Sequence, residues 1–164
     1  MKNLLFFSFL LFSSLLQAQE FNNTGKEFWA GYGAHLSMYN ADGTVNTSGG
    51  SQEMVFYLSG NSDAIITVEI PSIGWTKTYN YTANSMFTTD VMPKAVGSDA
   101  RIVSEGLSHN GIHIISTSPI VAFCHIYDNK SSATTLLSPV SSLGQFYTSL
   151  NFTQQSTNQN AAGY

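Results

Sequence analysis

Residues 120–127 read IVAFCHIY, apolar at nearly every position. A run that short and that uniform has no wet side, so it suits a strand covered on both faces in the middle of a folded domain. The wider stretch from Gly111 to Pro139 is the most core-like part of the chain. Within it, residues 112–115 and 120–127 are apolar segments flanking Ser116, Thr117, Ser118 and Pro119. Turn-forming residues between two apolar runs predict a β-hairpin there.

The remaining chain reads as further short strands. In residues 27–36, Phe28, Ala30 and Tyr32 share one face of a strand and Gly31 and Gly33 the other. Residues 39–52, rich in Asn, Gly, Ser and Thr, predict a long exposed loop and a plausible contact surface. Residues 53–59 are apolar on both parities and predict an interior strand. Residues 64–70 alternate, with Ile66, Val68 and Ile70 inward. Residues 71–74 turn the chain into 75–81, which puts Trp75, Lys77, Tyr79 and Tyr81 on one face and completes a hairpin. Strands over 85–92 and 133–140 are expected, with one more over 144–152. Residues 94–110 lack a sustained period and read as a long connection between sheets. No helical period of useful length occurs after the first eighteen residues. The expectation is an all-β chain, an antiparallel β-sandwich over residues 19–152, incomplete at its C-terminal end.

The two ends read differently. Lys2 followed by a Leu-, Phe- and Ser-rich run over 4–16 and then Leu16-Gln17-Ala18 predicts a secretory signal peptide over residues 1–18. The run is shorter than the ~20 apolar residues that span a bilayer, so no membrane insertion is expected after cleavage. Residues 153–164 are mostly Gln, Asn, Ser and Ala, and read as a polar tail or a loop of a truncated chain. Without the leader, five basic residues face ten acidic ones, a net charge of −5. An acidic chain without basic runs argues against nucleic acid and anionic membranes as partners. The only cysteine, Cys124, allows no intrachain disulfide and sits in the apolar run as an inert core thiol.

Few residues suggest catalysis. His35, His109, His113 and His125 lack zinc-motif spacing and have no cysteine pair beside them. No metal, cofactor or catalytic residue is assigned, and His113, Cys124 and His125 are read as structural core. Asp99 and Arg101, the latter the only arginine, read as a structural clamp through a charge-assisted pair. Glu53, Glu69 and Glu105 have no spacing that marks a glycosidase pair. The aromatic side chains are the better lead. Trp29, Tyr39, Tyr57, Trp75, Tyr79 and Tyr81 either fill the core or stack on sugars and partner surfaces; Tyr39, Trp75, Tyr79 and Tyr81 are taken as the candidate binding surface.

The order of short motifs adds a family resemblance. Gly25-Lys26-Glu27-Phe28-Trp29, Gly31-Tyr32-Gly33, Gln52-Glu53-Met54-Val55, Gly74-Trp75-Thr76, Asp99-Ala100-Arg101, Gly111-Ile112-His113-Ile114, Pro119-Ile120-Val121-Ala122 and His125-Ile126-Tyr127 occur in that sequence. Together, from Gly25 to Phe152, they resemble the N-terminal domain of the IgGFc-binding protein family, found in secreted bacterial proteins of Bacteroidetes type. That resemblance implies a secreted or cell-surface binding or adhesion role, toward a glycoprotein, mucin or other surface protein, without a catalytic set. No Fc-contacting residue carries over by position. Two other readings stand beside it. A carbohydrate-active or metal-dependent hydrolase requires His113 and His125, or two carboxylates, to converge in a pocket. An architectural β-module of a longer adhesin requires no ligand at all.

Overall fold

The computed structural model describes residues 23–33, 38–46, 52–103, 106–129 and 132–146. The expected signal peptide, His35, Glu105, the tail over 153–164 and most of the expected strand over 144–152 lie outside them. The chain is all-β: the described residues contain no α-helix. Ten strands follow in order: β1 (Gly25–Gly33), β2 (Glu53–Ser59), β3 (Ala64–Ile70), β4 (Trp75–Tyr81), β5 (Met86–Thr88), β6 (Lys94–Ala95), β7 (Ser98–Asp99), β8 (Arg101–Ile102), β9 (Gly111–Tyr127) and β10 (Ser132–Leu136).

β9 is one strand of 17 residues, not a hairpin. Its first half, to Ser116, lies between β1 and β3; its second half, from Val121, lies between β2 and β10. Ser116 to Pro119 is therefore where the strand changes partners. Between the pairs Glu27↔Ile115 and Gly25↔Ile120, β9 takes five steps while β1 takes two, a bulge that bends it. Pro119 has no N–H to offer a ladder and is tolerated at such a break. The Ser116 hydroxyl points inward and bonds the Ser118 carbonyl at 2.7 Å, meeting its polar demand locally. Ser and Pro mark a local break in the ladder, and nothing in their identity separates a bend from a reversal.

The result is an eight-stranded sheet with two wings sharing β9. One wing runs β4-β3-β9-β1-β8; β2 with β5, and β10, flank the other half of β9. All pairings are antiparallel except β1 with β8, and β6 and β7 form a small separate pair. The expected long connection over 94–110 thus contains three two-residue strands. β3 and β4 form the hairpin expected from their alternation, in register from Ala64↔Tyr81 to Ile70↔Trp75. Pro71 starts its one-turn 3-10 connection, and Gly74 closes it at φ +64°, a left-handed conformation that side chains resist.

Both wings turn the same row of β9 inward. Ile112, Ile114, Ile120, Ala122 and Cys124 are buried, alongside Phe28 and Tyr32 of β1, Met54, Phe56 and Leu58 of β2, and Ile66, Val68 and Ile70 of β3. They form one hydrophobic cluster, each large member adding about 1.5–3 kcal/mol by burial. Opposite parity faces outward, where Ile115 is 40% exposed. Ile114→Ala should therefore cost about 2–5 kcal/mol in denaturant unfolding. Its neighbour Ile115→Ala should cost less than about 1 kcal/mol. Equal costs would contradict the assigned faces.

Candidate functional site

Of the four aromatic residues taken as a binding surface, Tyr81 is buried and Tyr39, Trp75 and Tyr79 are half-buried. Register with β3 turns the odd positions of β4 toward the core: Trp75 opposes Ile70, and Tyr79 opposes Ile66. Both rings are half-buried against the core cluster. Tyr81 is fully inside, and its hydroxyl takes the Gly60 N–H at 2.7 Å and lies within bonding distance of the Gly60 and Ser85 carbonyls. Tyr81 is therefore a fastener of the β2–β3 turn and is unavailable to a partner. Burial, with Asp90 beside it, pushes the Tyr79 hydroxyl up to about 12. Tyr39 donates from its hydroxyl to the Val103 carbonyl at 2.7 Å, tying the loop over 38–46 to the end of β8.

Asp99 and Arg101 meet directly. Arg101 Nε bonds Asp99 Oδ1 at 2.9 Å and Nη2 bonds Oδ2 at 2.7 Å, a two-pronged pair closed by the Arg101 backbone N–H on Oδ1. Arg101 is 1% exposed, and its Nη1 also reaches the Asn46 carbonyl at 2.8 Å. Asn110 Nδ2 bonds the carbonyls of Asp99 and Arg101, joining this clamp to the start of β9. Burial tends to raise the Asp99 carboxyl, but the Arg101 hydrogen bonds, backbone N–H and charge outweigh it and hold the group below its ordinary 3.8. A carboxylate depressed in the folded state stabilises fully above its unfolded value and loses that contribution as pH falls through the folded value. Asp99→Ala, which strands a buried guanidinium, should cost about 3–5 kcal/mol near neutral pH. That difference from the wild type should shrink as pH drops below 3.8; a pH-independent difference in acid unfolding curves would contradict the pairing.

Two histidines expected in the core are on the outer face instead, because both have odd numbers on β9. Cys124, on the inward parity between them, is in the core; burial pushes its thiol up to about 11, so it is not a thiolate at neutral pH. His125 is held at both ring nitrogens, by Tyr57 Oη at 3.0 Å and Ser132 Oγ at 2.8 Å. Tyr127 stacks beside it at 4.8 Å, and its hydroxyl donates to Glu53 Oε2 at 2.9 Å. These contacts knit β2, β9 and β10 together.

The surroundings of His113 are different. Glu69 on β3, His113 on β9 and Trp29 on β1 are cross-strand neighbours in one row. His113 Nδ1 lies 2.9 Å from Glu69 Oε1, and Nε2 lies 3.0 Å from Glu27 Oε1. Trp29 lies parallel to the imidazole, at 4.1 Å and 9°. Gly111 makes room for it, since a Cβ there would sit 3.2 Å from two indole carbons. Trp29 is thus packed against His113 and beside Gly111 while 47% exposed. A shallow depression of about 540 Å³ beside it is lined by Trp29, Pro71, Ser72, Ser108, His109 and Gly111.

The groups around His113 do not form the carboxylate pair or the metal cluster that the hydrolase reading requires. Glu27 and Glu69 approach opposite nitrogens of one ring, so the imidazole fills the space between them that a glycosidic bond and water would need. The three groups also share no common point at metal-ligand distance. Among the described residues no group of three or more His, Cys, Asp or Glu side chains is placed to hold a metal. His113 and His125 have no neighbour in common: their cross-strand partners are Glu69 and Trp29 for one, Val55 and Thr134 for the other. Glu27 was not singled out from the sequence as a partner of His113. The legible signal was its shared parity with Trp29; the missing one was the β1–β9 register.

Comparison with protein-family models found no match, and the searches of curated proteins and of solved structures likewise returned none.

Proposed function

We propose that the chain is a secreted or cell-surface binding module, non-catalytic, that attaches to an extracellular glycoprotein, mucin or other surface protein. The observation that carries this reading is Trp29: a large ring, 47% exposed, stacked on His113 and given room by the absence of a side chain at Gly111. Exposed, rigid aromatics are the side chains that most often anchor partners, because they bury large area with little loss of conformational entropy. The engagement of both nearby carboxylates by a single histidine supports binding over hydrolysis. The ordered motifs that resemble the IgGFc-binding N-terminal domain support the same class of role.

The test is surface plasmon resonance of the full chain over an immobilised mucin-type glycoprotein. Saturable binding is expected, weakened at least tenfold by Trp29→Ala and unchanged by Val96→Ala, a substitution at a residue 88% exposed on the β6–β7 turn. Binding indifferent to Trp29→Ala, or none to glycoproteins or other surface proteins, would overturn the proposal. Export makes a separate prediction. Mass spectrometry of the chain expressed in its source should find Gln19 at the mature N-terminus; intracellular protein beginning at Met1 would contradict the secreted reading.

A further inference from the structure

We infer that the Trp29 depression is a subsite for a single pyranose ring of a glycan chain. The inference rests on the binding reading above and names its ligand. A pyranose has a face of axial C–H groups and a rim of hydroxyls. The indole offers the complement: a flat ring whose face carries negative charge density and attracts C–H groups. Here the indole is stacked on His113, remains 47% exposed, and lies at the edge of the depression. Stacking therefore asks for no rearrangement of the ring, which spares the ordering cost of a mobile side chain.

The rim has unused hydrogen-bonding capacity of both kinds. Ser72 Oγ donates to Asn110 Oδ1 at 2.9 Å, which leaves its oxygen lone pairs to accept. Ser108 Oγ accepts from the Asn110 N–H at 3.2 Å, which leaves its O–H to donate. His109 adds a ring with donor and acceptor capacity. An aromatic edge with a mixed donor and acceptor rim fits a polyol ring better than an apolar peptide side chain, which would strand those polar groups.

Asn110 makes this geometry dependable. It binds Ser72, Ser108 and the carbonyls of Asp99 and Arg101, so the rim is fixed to the buried Arg101 clamp. The site is open at the surface and takes one ring, so affinity for a monosaccharide should be weak, with Kd about 1 mM. Tight attachment would then come from several such contacts along a glycosylated surface.

The experiment uses the full chain carrying Trp75→Phe, which leaves Trp29 as the only tryptophan. Fluorescence titration with methyl glucoside, galactoside, mannoside and N-acetylglucosaminide pyranosides should show a saturable change for at least one. Calorimetry with that sugar should show binding lost in Trp29→Ala. It should be weakened at least tenfold in Gly111→Val, whose side chain would displace the indole without removing it. Thermal melts establish that both variants fold; should Trp29→Ala not fold, Gly111→Val carries the test. In parallel, attachment to an immobilised mucin-type glycoprotein is measured before and after periodate oxidation of its sugars. Loss of attachment after oxidation supports the inference. Attachment that survives oxidation, with no pyranoside bound, overturns the sugar subsite and leaves a protein-binding module. A pyranoside bound equally by the Gly111→Val and Trp29→Ala variants places the sugar elsewhere and overturns it too. Absence of both sugar and glycoprotein binding overturns the inference, and extends to the module itself if other surface proteins also fail to bind.

Discussion

Every other feature of this structure depends on β9 being continuous. A strand in the interior of a sheet must satisfy N–H and C=O groups along both edges. β9 does so with four different partners, two on each half. The bulge at Ser116 to Pro119 is the device that permits the exchange. It bends the strand without handing its side chains to the opposite face, so buried positions on both halves keep the same parity. One row of residues therefore builds the core under both wings, and the other row displays His113 and His125.

That division explains how a chain with one cysteine, and so no intrachain disulfide, organises its polar residues. Where Arg101 is buried, it is met on both prongs by Asp99 and on Nη1 by a main-chain carbonyl. Such a pair gives geometric specificity more than net stability, since desolvating two charges offsets much of their attraction. Here it fixes the place where β8, the loop over 38–46 and the start of β9 meet. Asn110 extends the same network outward to Ser72 and Ser108. The rim beside Trp29 is therefore hydrogen-bonded to the clamp behind it.

The outer faces of the two wings use histidine differently. His125 is surrounded by hydroxyl groups and tyrosine rings and ties three strands together. His113 is placed between two carboxylates and serves as the support of an exposed indole. Each residue interrupts one of the two apolar runs that β9 joins, and their roles diverge because the neighbouring strands differ. A histidine beside Glu69 and Trp29 becomes the platform of an indole; one beside Val55 and Thr134 becomes a cross-strand tie.

The sequence by itself determined the class of fold and most of the strands. Period-two patterning in 64–70, the uniformly apolar 120–127 and turn residues at 71–74 are local signals, and local physics reads them. The pairing of Asp99 with Arg101 was legible for the same reason, being two residues apart. Tertiary structure decided what depends on register between strands far apart in the chain. The odd parity of β4 faces inward only because it pairs with β3 as it does, which removes Tyr81 from the surface. Trp29, Gly111, His113, Glu69 and Glu27 become one site only because β1 and β3 flank the first half of β9. A one-residue slip in either pairing would turn that row to the other face. Register is a cooperative property of the whole sheet, and no single strand carries it.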